Sequence, residues 1–122
     1  MSENPVRNVA TMSCDKTNHS IFPSVYGETD DLLLLSLVYD DRATDEHFPA
    51  PNGTRLESYT NGRDEAGFLY SKELAMEGET GIFNLTTFGI KYRCKDAMIS
   101  LVVKRNMKKL NLLDWMQDLI TP

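Results

Sequence analysis

The stretch that most constrains this chain is Phe88–Val103, which reads FGIKYRCKDAMISLVV. Folded at a two-residue turn, Lys95-Asp96, it makes a hairpin with a definite register. Cys94 then faces Ala97, Tyr92 faces Ile99, Ile90 faces Leu101 and Phe88 faces Val103. Side chains alternate along a strand, so these four pairs share one apolar face. The other face pairs Arg93 with Met98, Lys91 with Ser100 and Gly89 with Val102. A one-residue slip sets Lys91 and Arg93 against apolar partners, and the pattern therefore resists it.

The rest of the chain predicts strands around that hairpin. Leu32–Tyr39 is a short apolar run closed on both sides by aspartate pairs, Asp30-Asp31 and Asp40-Asp41. Period alone does not separate a buried strand from a helical segment here. Thr29 and two aspartates suit a helix start, but eight residues ending in Val38-Tyr39 suit a central strand better. Thr54–Thr60 reads as a partly exposed strand followed by an Asn61-Gly62 turn, which Arg63-Asp64-Glu65 widen. Phe68, Tyr70, Leu74 and Met76 fall on one strand parity, although Asp64 and Gly78 also suit a helix over the same residues. Val6, Val9, Ala10 and Met12 offer a short edge strand in an otherwise irregular segment 1–20. Ile21-Phe22-Pro23 and Val25-Tyr26 read as a loop docked on the core, since Pro23 excludes a central strand. Near the C-terminus, Leu112, Trp115, Met116 and Leu119 keep the spacing i, i+3, i+4, i+7 behind a cap at Asn111. A helix over 107–120 is too short to stand alone and needs a sheet to pack on. The expected fold is α+β: one domain over 1–122, with a mainly antiparallel sheet of about five strands, a meander, curled or barrel-like, and a short C-terminal helix on it.

Composition fits an ordinary soluble globular protein, with 41% hydrophobic and 25% charged residues. Charge is more informative than content. Residues 1–79 hold 15 acidic and six basic side chains, whereas 91–109 hold seven basic and one acidic. The net charge of −5 disfavours general binding to nucleic acid or an anionic membrane. Met1–Met12 has no apolar core of a secretory signal, and no apolar run approaches the length of a membrane span. A cytoplasmic location is expected, with Cys14 and Cys94 as reduced thiols.

Candidate chemistry is sparse. His19 and His47 stand in no local catalytic pattern, and there is no Gly-x-Ser-x-Gly elbow. Cys14, His19, His47 and Cys94 lack the close pairing of structural zinc sites. A calcium loop counted from Asp41 fails at its sixth position, Glu46, and its twelfth, Asn52. No glycine-rich phosphate loop is present. No cofactor, metal or catalytic residue is expected, although a small hydrolase using carboxylates stays open as a second alternative.

What stands out is the acidic segment 28–46, where Glu28, Asp30, Asp31, Asp40, Asp41, Asp45 and Glu46 face Arg42 alone. Such a segment speeds association with a cationic surface and helps select it. The chain is therefore expected to be a small non-enzymatic protein-binding module, of inhibitor, immunity or adaptor type, engaging a basic partner. The alternative is nucleic-acid binding through Lys91, Arg93, Lys104, Arg105, Lys108 and Lys109. The strand aromatics Phe88 and Tyr92 lie on the opposite, apolar face of the hairpin, which disfavours base stacking beside that stripe. A homo-oligomer is compatible with either reading.

Overall fold

The computed structural model describes residues 4–12, 21–88 and 95–104. Nine strands run through them: β1 (Val6–Met12), β2 (Ile21–Phe22), β3 (Tyr26–Gly27), β4 (Leu32–Tyr39), β5 (Arg55–Asn61), β6 (Ala66–Glu73), β7 (Gly78–Glu79), β8 (Phe83–Asn84) and β9 (Lys95–Val103). Five form an antiparallel sheet in the order β1-β9-β4-β6-β5. Two small ribbons, β2 with β8 and β3 with β7, accompany it. No helix occurs among the described residues, and the helix expected over 107–120 lies outside them.

The mainly antiparallel, five-stranded sheet agrees with expectation, and its internal order does not. In this sheet only β5 and β6 are sequence neighbours that pair, so it is no meander. The hairpin expected over Phe88–Val103 is overturned. β9 has β4 on one side and β1 on the other, so both hydrogen-bonding edges are engaged from Met98 to Val103. Over that span β9 offers no open edge to a hairpin arm. Lys95, expected in the turn, already lies in β9 opposite Tyr39. Phe88 instead gives its N–H to the His47 carbonyl at 2.9 Å, and 89–94 lie outside the described residues.

Parity along β9 is also the reverse of the expected one. Met98, Ser100 and Val102 are buried, while Ala97, Ile99 and Leu101 are half-buried on the other face. β4 alternates in the same way, with Leu33, Leu35, Leu37 and Tyr39 inward. It is a strand, as its Val38-Tyr39 end suggested. β6 contributes Ala66, Phe68 and Tyr70 to the same core. β1 is the edge strand that Val6, Val9, Ala10 and Met12 indicated.

Connecting segments cover the core face. Phe22, Val25, Ala43, Phe48, Leu74 and Leu85 all join the core cluster. Phe48 meets Tyr39 and Phe68 edge-on at 4.8 and 5.3 Å, and Phe22 meets Tyr70 at 6.0 Å. Such edge-to-face contacts between aromatic rings stabilise beyond the area they bury. Gly27 in β3 passes so close to Leu74 and β9 that a Cβ there would overlap Leu74 Cδ1 and fall 3.3 Å from Val102 Cγ1.

Three buried polar groups pin this cover. Ser100 Oγ, fully buried on β9, donates to the Pro23 carbonyl at 2.7 Å. Tyr70 Oη donates to the Phe48 carbonyl at 2.8 Å, and burial raises its phenol above the ordinary value. The third is Asp31, 1% exposed. Its carboxylate accepts from Arg7 Nε on β1 at 2.5 Å and from the Glu28 N–H at 2.8 Å. The Leu74 N–H reaches the Asp31 carbonyl at 2.9 Å, and the Asp30 N–H reaches the Leu74 carbonyl at 2.8 Å. The turn closes through Asp30 in the left-handed region, φ 70°, a conformation that aspartate tolerates better than most residues.

Two stability measurements check this assignment. Ser100→Ala leaves the Pro23 carbonyl buried without its donor and is expected to cost about 1–3 kcal/mol in urea unfolding. Arg7→Met withdraws the guanidinium from the buried Asp31 carboxylate, and a loss of about 3 kcal/mol is expected. Values near zero for both would show that the cover is held by apolar packing alone.

Candidate functional site

β4 divides the acidic segment. Glu28, Asp30 and Asp31 precede the strand, and Asp40, Asp41, Asp45 and Glu46 follow it. Eight residues at about 3.3 Å each separate the two groups by roughly 25 Å, so the seven carboxylates do not converge on one spot.

The group before β4 is partly committed to the fold. Arg7 joins Glu28 at 2.9 Å and Asp31 at 2.5 Å. The hydrogen bond to Asp31 is the main influence raising the Arg7 pKa. Asp30 is exposed.

The group after β4 gains neighbours that local sequence does not announce. Tyr39 at the end of β4 pairs with Ala66 at the start of β6, and Ala66 pairs with Asn61 at the end of β5. The β5–β6 turn, with Asp64 and Glu65, therefore lies beside Asp40. Gly62 closes that turn by donating its N–H to the Glu65 carbonyl at 2.8 Å, so Arg63 and Asp64 are its two central residues. Arg42 Nε bonds the Arg63 carbonyl at 3.0 Å and ties the two loops together. Among the described residues, Asp40, Asp45, Glu46, Asp64 and Glu65 are exposed and make no ion pair.

The loop that carries Asp45 and Glu46 is built as a tight turn. The His47 N–H donates to the Thr44 carbonyl at 3.0 Å, and the Thr44 N–H donates to His47 Nδ1 at 3.0 Å. Phe48 then anchors the turn in the core. His47 thus has a local structural task. Its carbonyl also holds the backbone of Phe88, a residue that is 57% exposed. An exposed aromatic residue therefore belongs to the acidic end of the sheet. Phe88 was expected on the apolar face of a hairpin, and its place here follows from the loop contact.

Of the alternative basic stripe, Lys104 is described: it follows β9 and gives its N–H to the Pro5 carbonyl at 2.8 Å. Lys91, Arg93, Arg105, Lys108 and Lys109 lie outside the described residues, as do Cys14, Cys94 and His19. Among the described residues no three His, Cys, Asp or Glu side chains are grouped to hold a metal ion. No helix there is long and apolar enough to cross a membrane.

Glu57 occupies a bulge in β5 between Leu56 and Ser58. Its carboxylate accepts from the buried Ser71 hydroxyl and from Arg55 Nε at 2.6 Å. The Ser71 hydrogen bond, then that of Arg55, holds the Glu57 pKa below its ordinary 4.5. A carboxylate depressed in the folded state adds stability above its unfolded pKa and loses it as pH falls through the folded value. Glu57→Gln is therefore expected to flatten the loss of stability below about pH 4.5. Urea midpoints across pH 2–7 check this, and parallel curves for the two proteins would refute it.

Comparison of the chain with protein-family models, with curated proteins and with solved structures finds no match.

Proposed function

We propose that this chain is a non-enzymatic protein-binding module, of inhibitor, immunity or adaptor type, that engages a cationic partner through the end of its sheet where β4 stops. The observation that supports this reading is the set of five exposed carboxylates, Asp40, Asp45, Glu46, Asp64 and Glu65, without an ion pair among the described residues. Two loops tied by Arg42 present them together. A single-sign surface of this kind raises encounter rates with an oppositely charged partner and weakens as salt rises. Phe88 supplies an exposed apolar anchor beside the charges, an aromatic residue of the kind enriched at protein interfaces. Of the acidic segment 28–46, the proposed contact uses the part after β4, Asp40, Asp41, Asp45 and Glu46. Glu28 and Asp31 have Arg7 as their counter-charge.

Two finer points belong to the same proposal. The face of the sheet opposite the core carries Leu34, Val38, Ile99 and Leu101, all half-buried. A C-terminal helix with a Leu112/Trp115/Met116/Leu119 stripe is suited to cover it. A cytoplasmic setting rests on the sequence alone.

The immobilised chain should capture a partner from extract at about 50 mM salt and lose most of it at about 500 mM, where the screening length drops several-fold. Asp45→Asn/Glu46→Gln/Asp64→Asn/Glu65→Gln should lower capture at low salt at least about tenfold, and Phe88→Ala should lower it at either salt. Equal capture by the neutralised variant, or capture indifferent to salt, counts against the proposal. A shift of single- or double-stranded nucleic-acid probes at low salt would favour the basic-stripe reading instead.

A further inference from the structure

Two Asn-Gly dipeptides stand in this chain, Asn52-Gly53 and Asn61-Gly62. Such a pair can react with itself. The glycine backbone nitrogen attacks the side-chain amide carbon of the asparagine, an approach that the missing glycine side chain leaves open. A new C–N bond forms, the bond to the amide nitrogen breaks, and the proton of the glycine N–H leaves with that nitrogen as ammonia. The product is a cyclic imide. Water then adds to one of the two imide carbonyls and opens the ring, giving aspartate or isoaspartate. One water is consumed and one ammonia released, with no oxidant or reductant. The attack needs an asparagine side chain free to turn and a glycine N–H that is not committed elsewhere.

All four residues are exposed, so access to water does not separate the two sites. Backbone bonding does. Asn61 is the last residue of β5 and pairs with Ala66. The Gly62 N–H donates to the Glu65 carbonyl at 2.8 Å. That nitrogen can attack only after the end of the β5–β6 ladder opens, and the small population of the open form limits the rate. Asn52 and Gly53 instead form the tip of a turn. Its closing bonds run from Thr54 to the Pro51 carbonyl, from the N–H at 2.9 Å and from the hydroxyl at 2.7 Å. Those bonds bypass the tip. Among the described residues, neither the Asn52 side chain nor the Gly53 N–H has a hydrogen-bond partner. Gly53 also sits at φ 83°, in the region that glycine adopts without strain.

We propose that Asn52 is a site of spontaneous modification, converted to aspartate and isoaspartate through attack by the Gly53 nitrogen, and that the β5–β6 turn protects Asn61 from the same reaction. Each conversion adds one negative charge to the connection between β4 and β5, which also carries Asp45 and Glu46. The reaction needs no partner, so it stands whether or not the acidic end binds one.

Prolonged incubation of the folded full chain in mildly alkaline buffer, followed by peptide mapping with mass spectrometry, tests it. The peptide containing Asn52 is expected to gain the mass difference between an amide and a carboxyl group and to separate into two products of equal mass. Ion exchange of the intact chain should show a more acidic species, which Asn52→Ser abolishes. The rate at Asn52 should exceed that at Asn61 at least about tenfold, since Asn61 reacts only after ladder and turn hydrogen bonds are broken. In strong urea the two rates should converge. Equal rates in the folded chain, or faster reaction at Asn61, overturn the proposal. So does a preference for Asn52 that persists undiminished in urea, because it then comes from local sequence and not from the turn and ladder.

Discussion

One face of a five-stranded sheet has to be hidden from water, and among the described residues neither a helix nor a second sheet hides it. Loops and two-residue ribbons do so. Irregular backbone over an apolar core brings carbonyls with it, and each buried carbonyl needs a donor. Ser100 and Tyr70 supply donors from within the sheet, to Pro23 and Phe48. Asp31 and Arg7 close the corner where β1, the 28–31 turn and the end of β6 meet. Apolar packing and hydrogen bonding are therefore one system here: the aromatic side chains fill the space, and the polar ones fix which loop lies over them.

That coupling explains how far the fold was legible. The existence of most long strands was open to reading, because Leu32–Tyr39 and Ala66–Glu73 have strand-like length, branching or alternation. The partners were not. Phe88–Cys94 and Ala97–Val103 complement one another well, but β9 is apolar on both faces, and any apolar antiparallel strand complements it. Leu32–Tyr39 does so over its full length and takes the place the hairpin arm was expected to fill. Ser100 misled the parity. A serine in a strand suggests the wet face, and only the Pro23 carbonyl, 77 positions away, makes it a core residue. The ribbons β2–β8 and β3–β7 are two residues deep and leave no periodic trace.

The candidate site was legible in kind and incomplete in membership. Asp40, Asp41, Asp45 and Glu46 could be read from local density of charge. Asp64 and Glu65 join them solely because β6 pairs with β4, and a non-local pairing has no local signature. Phe88 enters by a single backbone hydrogen bond to His47. Conversely, local charge density suggests Asp31 as surface charge, whereas it is a buried acceptor, since Arg7 is too distant in sequence to suggest the pair.

The place of β9 has a bearing on how the protein comes to be folded. The strand that separates β1 from β4 is the last of the nine to be synthesised. Until residue 103 is made, β1 has no partner in the main sheet, and the β4 edge that β9 will occupy stands open. Hydrogen bonding across the centre of the molecule waits on contacts that span most of the chain, a topology associated with slow folding. During that interval β4, with four consecutive leucines, presents its unpaired apolar edge to whatever is near. The aspartate pairs at both of its ends then serve as gatekeepers that discourage the wrong strand from adding there while the right one is still to come.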